Sequence, residues 1–332
     1  MPTLRGRLGE WDLPCFQLWQ DRETEIRAQR TPLIGPTTRI ATIGSCFAEE
    51  IAAAMSRLNV CGTMHPTGRV YNTRSIRQEI ERVFGGWAEY RLDMPWKVQG
   101  GFVHPFKDPG KVFPTEEALQ TWSDEADRRA DELFRSADVV VITLGLIEAW
   151  MQPATGNVYR HIPHPDVFES LGAKFHRLSV AEMIDDLTRI RAVVREHTGA
   201  EIILTVSPIP LHATMTSLDV RIANTESKSR IRAAVSEFVE AFPDVHYFHS
   251  YEIVTTADSL NDFVKDDGRH VHRRAVDSIV CQFLSTYATD EIAAAQVASS
   301  EQRSSQPMRQ DRSLAAKLAS QLWRHLPLRK AS

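Results

Sequence analysis

The chain has 332 residues, 42% apolar and 25% charged, with a net charge of −4. That profile suits a soluble globular protein with a sizeable core and excludes a disordered or collagen-like chain. No apolar run approaches the ~18 residues of a membrane span, the first residues lack the apolar stretch of a secretory leader, and Cys15, Cys46, Cys61 and Cys281 show no CxxC spacing, so a reducing cytoplasm is the expected location.

In chain order, short runs rich in Val and Ile alternate with amphipathic stretches. Strands are predicted at Arg39–Ile43, Asn59–Met64, Ala137–Leu144, Ala200–Ser207 and Val245–Ser250. Several are apolar without alternation, as strands covered on both faces should be. After the first, Phe47, Ile51, Met55 and Leu58 recur at helical spacing. Further helices are predicted over roughly 73–85, 115–135, 179–197, 224–241 and 271–287, the third of these with a Ser179–Glu182 capping-box pattern. This alternation predicts an α/β fold with a parallel, doubly wound sheet, whose ligand lies at the carboxyl ends of the strands. Residues 86–114 and 151–178 read as long loops over that edge. Residues 1–30 read as an N-terminal extension packed on a 31–290 domain, and 291–332 as a polar linker followed by a basic helix.

The charge is uneven. Residues 303–332 hold seven Lys or Arg and one acid, +6, which leaves −10 on residues 1–302. An acidic body argues against nucleic acid as a partner. In the tail, Leu314, Leu318, Leu322 and Leu326 recur every four residues beside Trp323. A helix over 313–326 could lie on an anionic membrane surface or dock on protein. Oligomeric state is not legible.

Two motifs carry chemistry. In RIATIGSCFAEEI a strand ends at Ile43, Gly44 permits a tight turn, and Ser45 stands just before a helix. A hydroxyl there lies at the strand edge beside the positive end of a helix, although an ordinary N-cap serine fits the same position. Near the other end, Asp267 precedes His270 by three residues on a turn entering a helix. The pair can serve as orienting acid and general base, or as a polar capping turn.

The string GSCFA itself resembles the GSCFA family, and further blocks follow in order: GRVYNTRSI (68–76), TLGLIEAW (143–150), LTVSPIPLHAT (204–214), ANTESKSRIR (223–232), YFHSYEIV (247–254) and DGRHVHRRAVDSI (267–279). The resemblance spans roughly residues 30–285 and places the chain with the SGNH/GDSL hydrolases. It implies a flavodoxin-like, three-layer α/β/α sandwich with a central parallel sheet, with Ser45 as nucleophile and His270 and Asp267 completing the centre. It also implies that the N–H groups of Ser45 and Gly68 hold an oxyanion. The third block departs from the superfamily, because its asparagine donor is missing from TLGLIEAW. Asn72, Thr143 and Gly145 are candidate replacement donors, and Glu148 is an acid without an assigned role.

Cys46 reads as a buried structural cysteine. His161 and His164 lack ligand spacing, so no metal is expected, and no cofactor is implied. Ser207–Pro210 should reach the same edge, with His212 and Thr214 at the pocket. Asn224, Ser227 and Lys228 read as capping and solvated-face residues. Trp87, Trp96, Phe106, Trp150 and Tyr159 suit walls for sugar rings or acyl chains, or simple loop packing. The resulting expectation is serine-dependent acyl-ester chemistry. An esterase (O-deacylase) acting on an acylated carbohydrate or other small ester comes first. An O-acyltransferase of glycan biosynthesis and a non-catalytic scaffold on the same fold are the alternatives.

Overall fold

The structure, a computed structural model, describes residues 29–57, 60–85, 95–107, 110–256 and 272–292. The chain divides into two units, 1–292 and 293–332. The second unit, with the predicted 313–326 helix, lies outside the described residues, as do residues 1–28, Asp267 and His270.

Five strands form the central sheet: β1 (Ile40–Gly44), β2 (Gly62–Met64), β5 (Val139–Leu144), β9 (Glu201–Val206) and β10 (Val245–Phe248). Their spatial order is β10–β9–β5–β1–β2 and every pairing is parallel. Numbered among themselves, these strands run 2-1-3-4-5, the flavodoxin order, whose direction of winding reverses between β1 and β5. All five occupy positions predicted from the sequence.

Helices cover both faces. Alternation along β5 decides which residue meets which layer. Val140, Ile142 and Leu144 face a core closed by α2 (Thr73–Val83), α3 (Glu116–Ser136), α5 (Val180–His197) and α6 (Val220–Ala241). Val139 and Val141 face a second core with Phe47, Ile51 and Met55 of α1 (Cys46–Arg57) and Val276, Ile279 and Phe283 of α8 (Arg273–Tyr287). A strand buried on both faces has no polar side, which explains the unbroken VVVITL sequence of β5. The Ser179–Glu182 capping box opens α5 as its spacing predicts. Residues 31–34 hydrogen-bond to the end of α8 through Thr31, Leu33 and Ile34 N–H groups.

The two predicted loops hold more structure than their composition suggests. The first contains a hairpin of β3 (Trp96–Val98) and β4 (Gly101–Val103). The second contributes β7 (Val158–Tyr159), α4 (Pro165–Leu171) and β8 (Lys174–Arg177). β7 and β8 flank β6 (Glu148–Met151) in an antiparallel three-stranded sheet. Strands of two to four residues are too short to display a period, so Gly, Pro and Trp content dominated the reading. A short α7 (Ser250–Thr255) follows β10. Among the described residues no helix is long and apolar enough to cross a membrane.

Candidate active site

Ser45 lies at the topological switch point, between the carboxyl ends of β1 and β5. Gly44 makes this turn possible. Its φ is 137°, and a Cβ there would stand 2.2 Å from the Thr143 carbonyl oxygen. The backbone therefore lies directly on β5, and the Ser45 N–H donates to Thr143 Oγ1 at 2.8 Å and to the Thr143 carbonyl at 3.2 Å. Ser45 Oγ shares a 3.0 Å hydrogen bond with Thr143 Oγ1 and accepts the Phe47 N–H at 3.2 Å. The serine is thus both the N-cap of α1 and a hydroxyl facing a cavity of about 250 Å³.

The expected oxyanion donors are rearranged. The Ser45 N–H is spent on Thr143. The Gly145 N–H is spent on the Tyr71 carbonyl at 2.8 Å. Gly68 stands outside the cavity lining. Its φ of 88° shapes the turn that delivers the Val70 N–H to the Gly44 carbonyl at 2.8 Å. Thr143 orients the serine. Asn72 lines the cavity, caps α2 through Oδ1 (Ser75 N–H, 2.8 Å) and donates one amide N–H to the Glu148 carbonyl at 3.2 Å. Its second amide N–H is uncommitted among the described residues.

Glu148 acquires a structural role. Its carboxylate accepts the Thr214 hydroxyl and the Met215 N–H, the latter at 2.9 Å. This fastens the segment after β9, which supplies Ile209, Pro210, Leu211, His212 and Met215 to the cavity wall. Asn224 holds the same segment by accepting the Leu211 N–H at 3.1 Å. Tyr71, Trp150, Tyr159, His161 and Ile162 supply more of the wall. Trp96 and Phe106 pack behind it on Tyr159, with ring centroids 5.0 and 5.6 Å away; Trp87 lies outside the described residues. His164 caps α4. Cys46, read as buried, is instead half-buried and lines the cavity beside Ser45. Ser227 and Lys228, read as solvated, are buried, because α6 packs on the end of β5 through them. Among the described residues no group of three or more His, Cys, Asp or Glu could hold a metal ion.

A buried ionic cluster supports the cavity floor. Arg160 lines the cavity and donates to the Phe106 carbonyl, the Arg69 carbonyl, Thr67 Oγ1 (each at 2.9 Å) and Glu79 Oε1 (2.7 Å). Arg82 donates to Glu79 Oε2 at 2.6 Å and pairs with Asp127, which also meets Lys107. Sequence reading missed this cluster, since its five charged members are scattered over four segments and each alone looks like a surface charge.

Two buried histidines adjoin it. Burial pushes His65 down to about 3 and His104 down to about 2, both held neutral. In the unfolded chain each takes up its proton near pH 6.5. The unfolded state therefore binds more protons below that pH, and stability present above pH 6.5 is lost as pH falls. Each histidine contributes a slope of up to about 1.4 kcal/mol per pH unit between roughly pH 6 and 4. Urea unfolding across that range should show the decline, and His65→Gln should make it shallower. A flat profile would contradict burial of neutral rings.

Residues 39–283 match the GSCFA family, well over half of the chain, and the protein belongs to that family. Among solved structures, a carbohydrate esterase family 2 enzyme with a carbohydrate-binding domain from Corynascus thermopiles (Myceliophthora fergusii) is similar. It shares 14% identity over 82% of this chain and 69% of its own, with a TM-score of 0.35. No curated protein matches the chain.

Proposed function

We propose that the protein is a serine-dependent esterase that removes an acyl group from a carbohydrate or other small ester. The observation that carries this reading is the Ser45 hydroxyl at the switch point, hydrogen-bonded by Thr143 and facing a walled cavity. Ser45 Oγ attacks the ester carbonyl carbon as His270 takes the hydroxyl proton, with Asp267 orienting the imidazole. The position of these two residues in the chain supports the assignment: their segment runs directly into α8, which packs against α1 behind Ser45. The uncommitted Asn72 N–H and the N-terminus of α1 stabilise the tetrahedral oxyanion. Collapse of that intermediate expels the alcohol with the proton from His270, and water then cleaves the Ser45 ester by the same steps in reverse. The aromatic and apolar wall suits an acyl group or the face of a sugar ring.

Acetate release from acetylated sugars and from p-nitrophenyl acetate tests the reading. The wild-type protein should turn over such esters and Ser45→Ala should not. Release that persists unchanged in Ser45→Ala would overturn it. Acyl transfer to an added sugar, with little free acid formed, would make the protein an O-acyltransferase.

A further inference from the structure

Lys228 is 1% exposed. It extends from α6 to the end of β5, where its Nζ donates to the Gly145 carbonyl at 2.7 Å. Among the described residues that carbonyl is its one hydrogen-bond partner. Gly145 in turn packs on the nucleophile: a Cβ built on it would lie 3.3 Å from Ser45 Cβ and 3.3 Å from the Tyr71 carbonyl oxygen. The next residue of α6 toward its start acts on the same segment, since Ser227 Oγ accepts the Ile147 N–H at 3.0 Å. Gly145, Leu146 and Ile147 are thus tied down on every side, and one of the ties is a charged group.

A hydroxyl or amide could satisfy a lone carbonyl without bringing an ammonium out of water. Removing a cation from water is costly, and a buried lysine with a single neutral partner is poorly compensated. Such a residue persists where its charge is useful. Within the cavity, the donors at the end of β5 are turned inward, and the Arg160 charge is already matched by Glu79. The Lys228 charge has no carboxylate against it among the described residues.

We infer that Lys228 is a positioning residue whose ammonium, held on the Gly145 carbonyl, places a positive charge behind Ser45 and stabilises negative charge developing there. This rests on the esterase reading above. It goes beyond it by assigning the electrostatic support to a helix on the opposite layer from α1. Cys46, the first residue of α1, is the titratable group that acts on Lys228 among the described residues; β5 and the segment after it present the Gly145 carbonyl. Burial pushes the ammonium down to about 7, and negative charge on the Cys46 thiolate acts in opposition. The charge is therefore largely present near pH 6 and largely lost near pH 9.

The full-length protein is compared with Lys228→Met, which removes donor and charge, and Lys228→Gln, which removes the charge and keeps a donor. Cys46 supplies a readout independent of ester chemistry. Its alkylation by iodoacetamide at pH 6, followed on the Cys46 peptide, should be about tenfold slower in both variants, because the thiolate loses its nearby cation. Ester kcat/KM should fall about 10- to 100-fold in both at pH 6, with the gap to wild type closing toward pH 9. Melting temperatures should stay level or rise, since a buried charge has been removed. Wild-type behaviour of Lys228→Gln in both assays would show that a hydrogen bond suffices and overturn the proposal. An unchanged Cys46 rate in both variants would also overturn it, as would a loss of fold in both, which would make Lys228 a strut. If the wild-type protein hydrolyses no ester while Cys46 slows in both variants, the buried charge stands and the esterase reading alone fails.

Discussion

Ester turnover is expected to fall by about 10⁴- to 10⁶-fold on replacement of Ser45 by alanine. Nucleophile and base act as one unit, so His270→Ala should lose about as much, and the double variant little more than either. Asp267→Asn should lose less if Asp267 only orients the ring. The fold should survive the Ser45 change, because α1 keeps its packing through Phe47, Ile51 and Met55 and the losses are the hydroxyl bond to Thr143 and the N-cap bond, the latter worth about 1 kcal/mol. Steady-state kinetics beside a melting curve separates chemistry from stability. Cys46 is the informative control, since it also lines the cavity at the start of α1. Cys46→Ala should remain active; a dead Cys46→Ala beside an active Ser45→Ala would move the nucleophile by one residue.

The largest loss of stability is expected at Glu79. Its carboxylate lies between two guanidiniums, with Arg160 at 2.7 Å and Arg82 at 2.6 Å. Burial alone would raise its pKa, but Arg82 and Arg160 outweigh burial and hold the carboxyl well below the usual range. Glu79→Gln removes the carboxylate between two buried guanidiniums and leaves Arg82 with Asp127 as its remaining carboxylate. Breaking a buried pair from one side typically costs about 3–5 kcal/mol, a large share of the ~5–15 kcal/mol that holds a domain folded. A marked fall in the urea midpoint is the expected result. Arg128, which meets Glu125 and Glu132 on the exposed face of α3, is the contrast: Glu132→Gln should leave the midpoint where it is. Equal effects at Glu79 and Glu132 would show that the cluster is not the anchor of the cavity floor. That anchoring has a functional side, because Arg160 also holds the Arg69 carbonyl and so fixes the approach to Tyr71 and Asn72.

The sheet was legible because its strands are buried on both faces. Runs such as VVVITL in β5 and EIILTV in β9 have one reading once helices flank them. The turn that carries Ser45 was legible because Gly44 and Ser45 each have a local reason to stand where they do. The donors were not, since hydrogen-bond partners are a property of three-dimensional neighbours. The spacing of Ser45, Gly68 and Gly145 gives no sign that two of their N–H groups are consumed and that the third stands away from the cavity. Glu148 appeared unexplained for the same reason, its partners Thr214 and Met215 being more than sixty residues away in sequence. Lys228 looked solvated because a charged residue in a helix usually is. Only the packing of α6 on the end of β5 shows otherwise.

The assignment of Ser45 as nucleophile is tested most directly by a fluorophosphonate probe, which phosphonylates activated serines, followed by peptide mapping of the intact folded protein. Modification of Ser45 in the wild-type chain, lost in His270→Ala, is the expected result. Folded wild-type protein that takes up no probe, or that carries it on a residue other than Ser45, would contradict it.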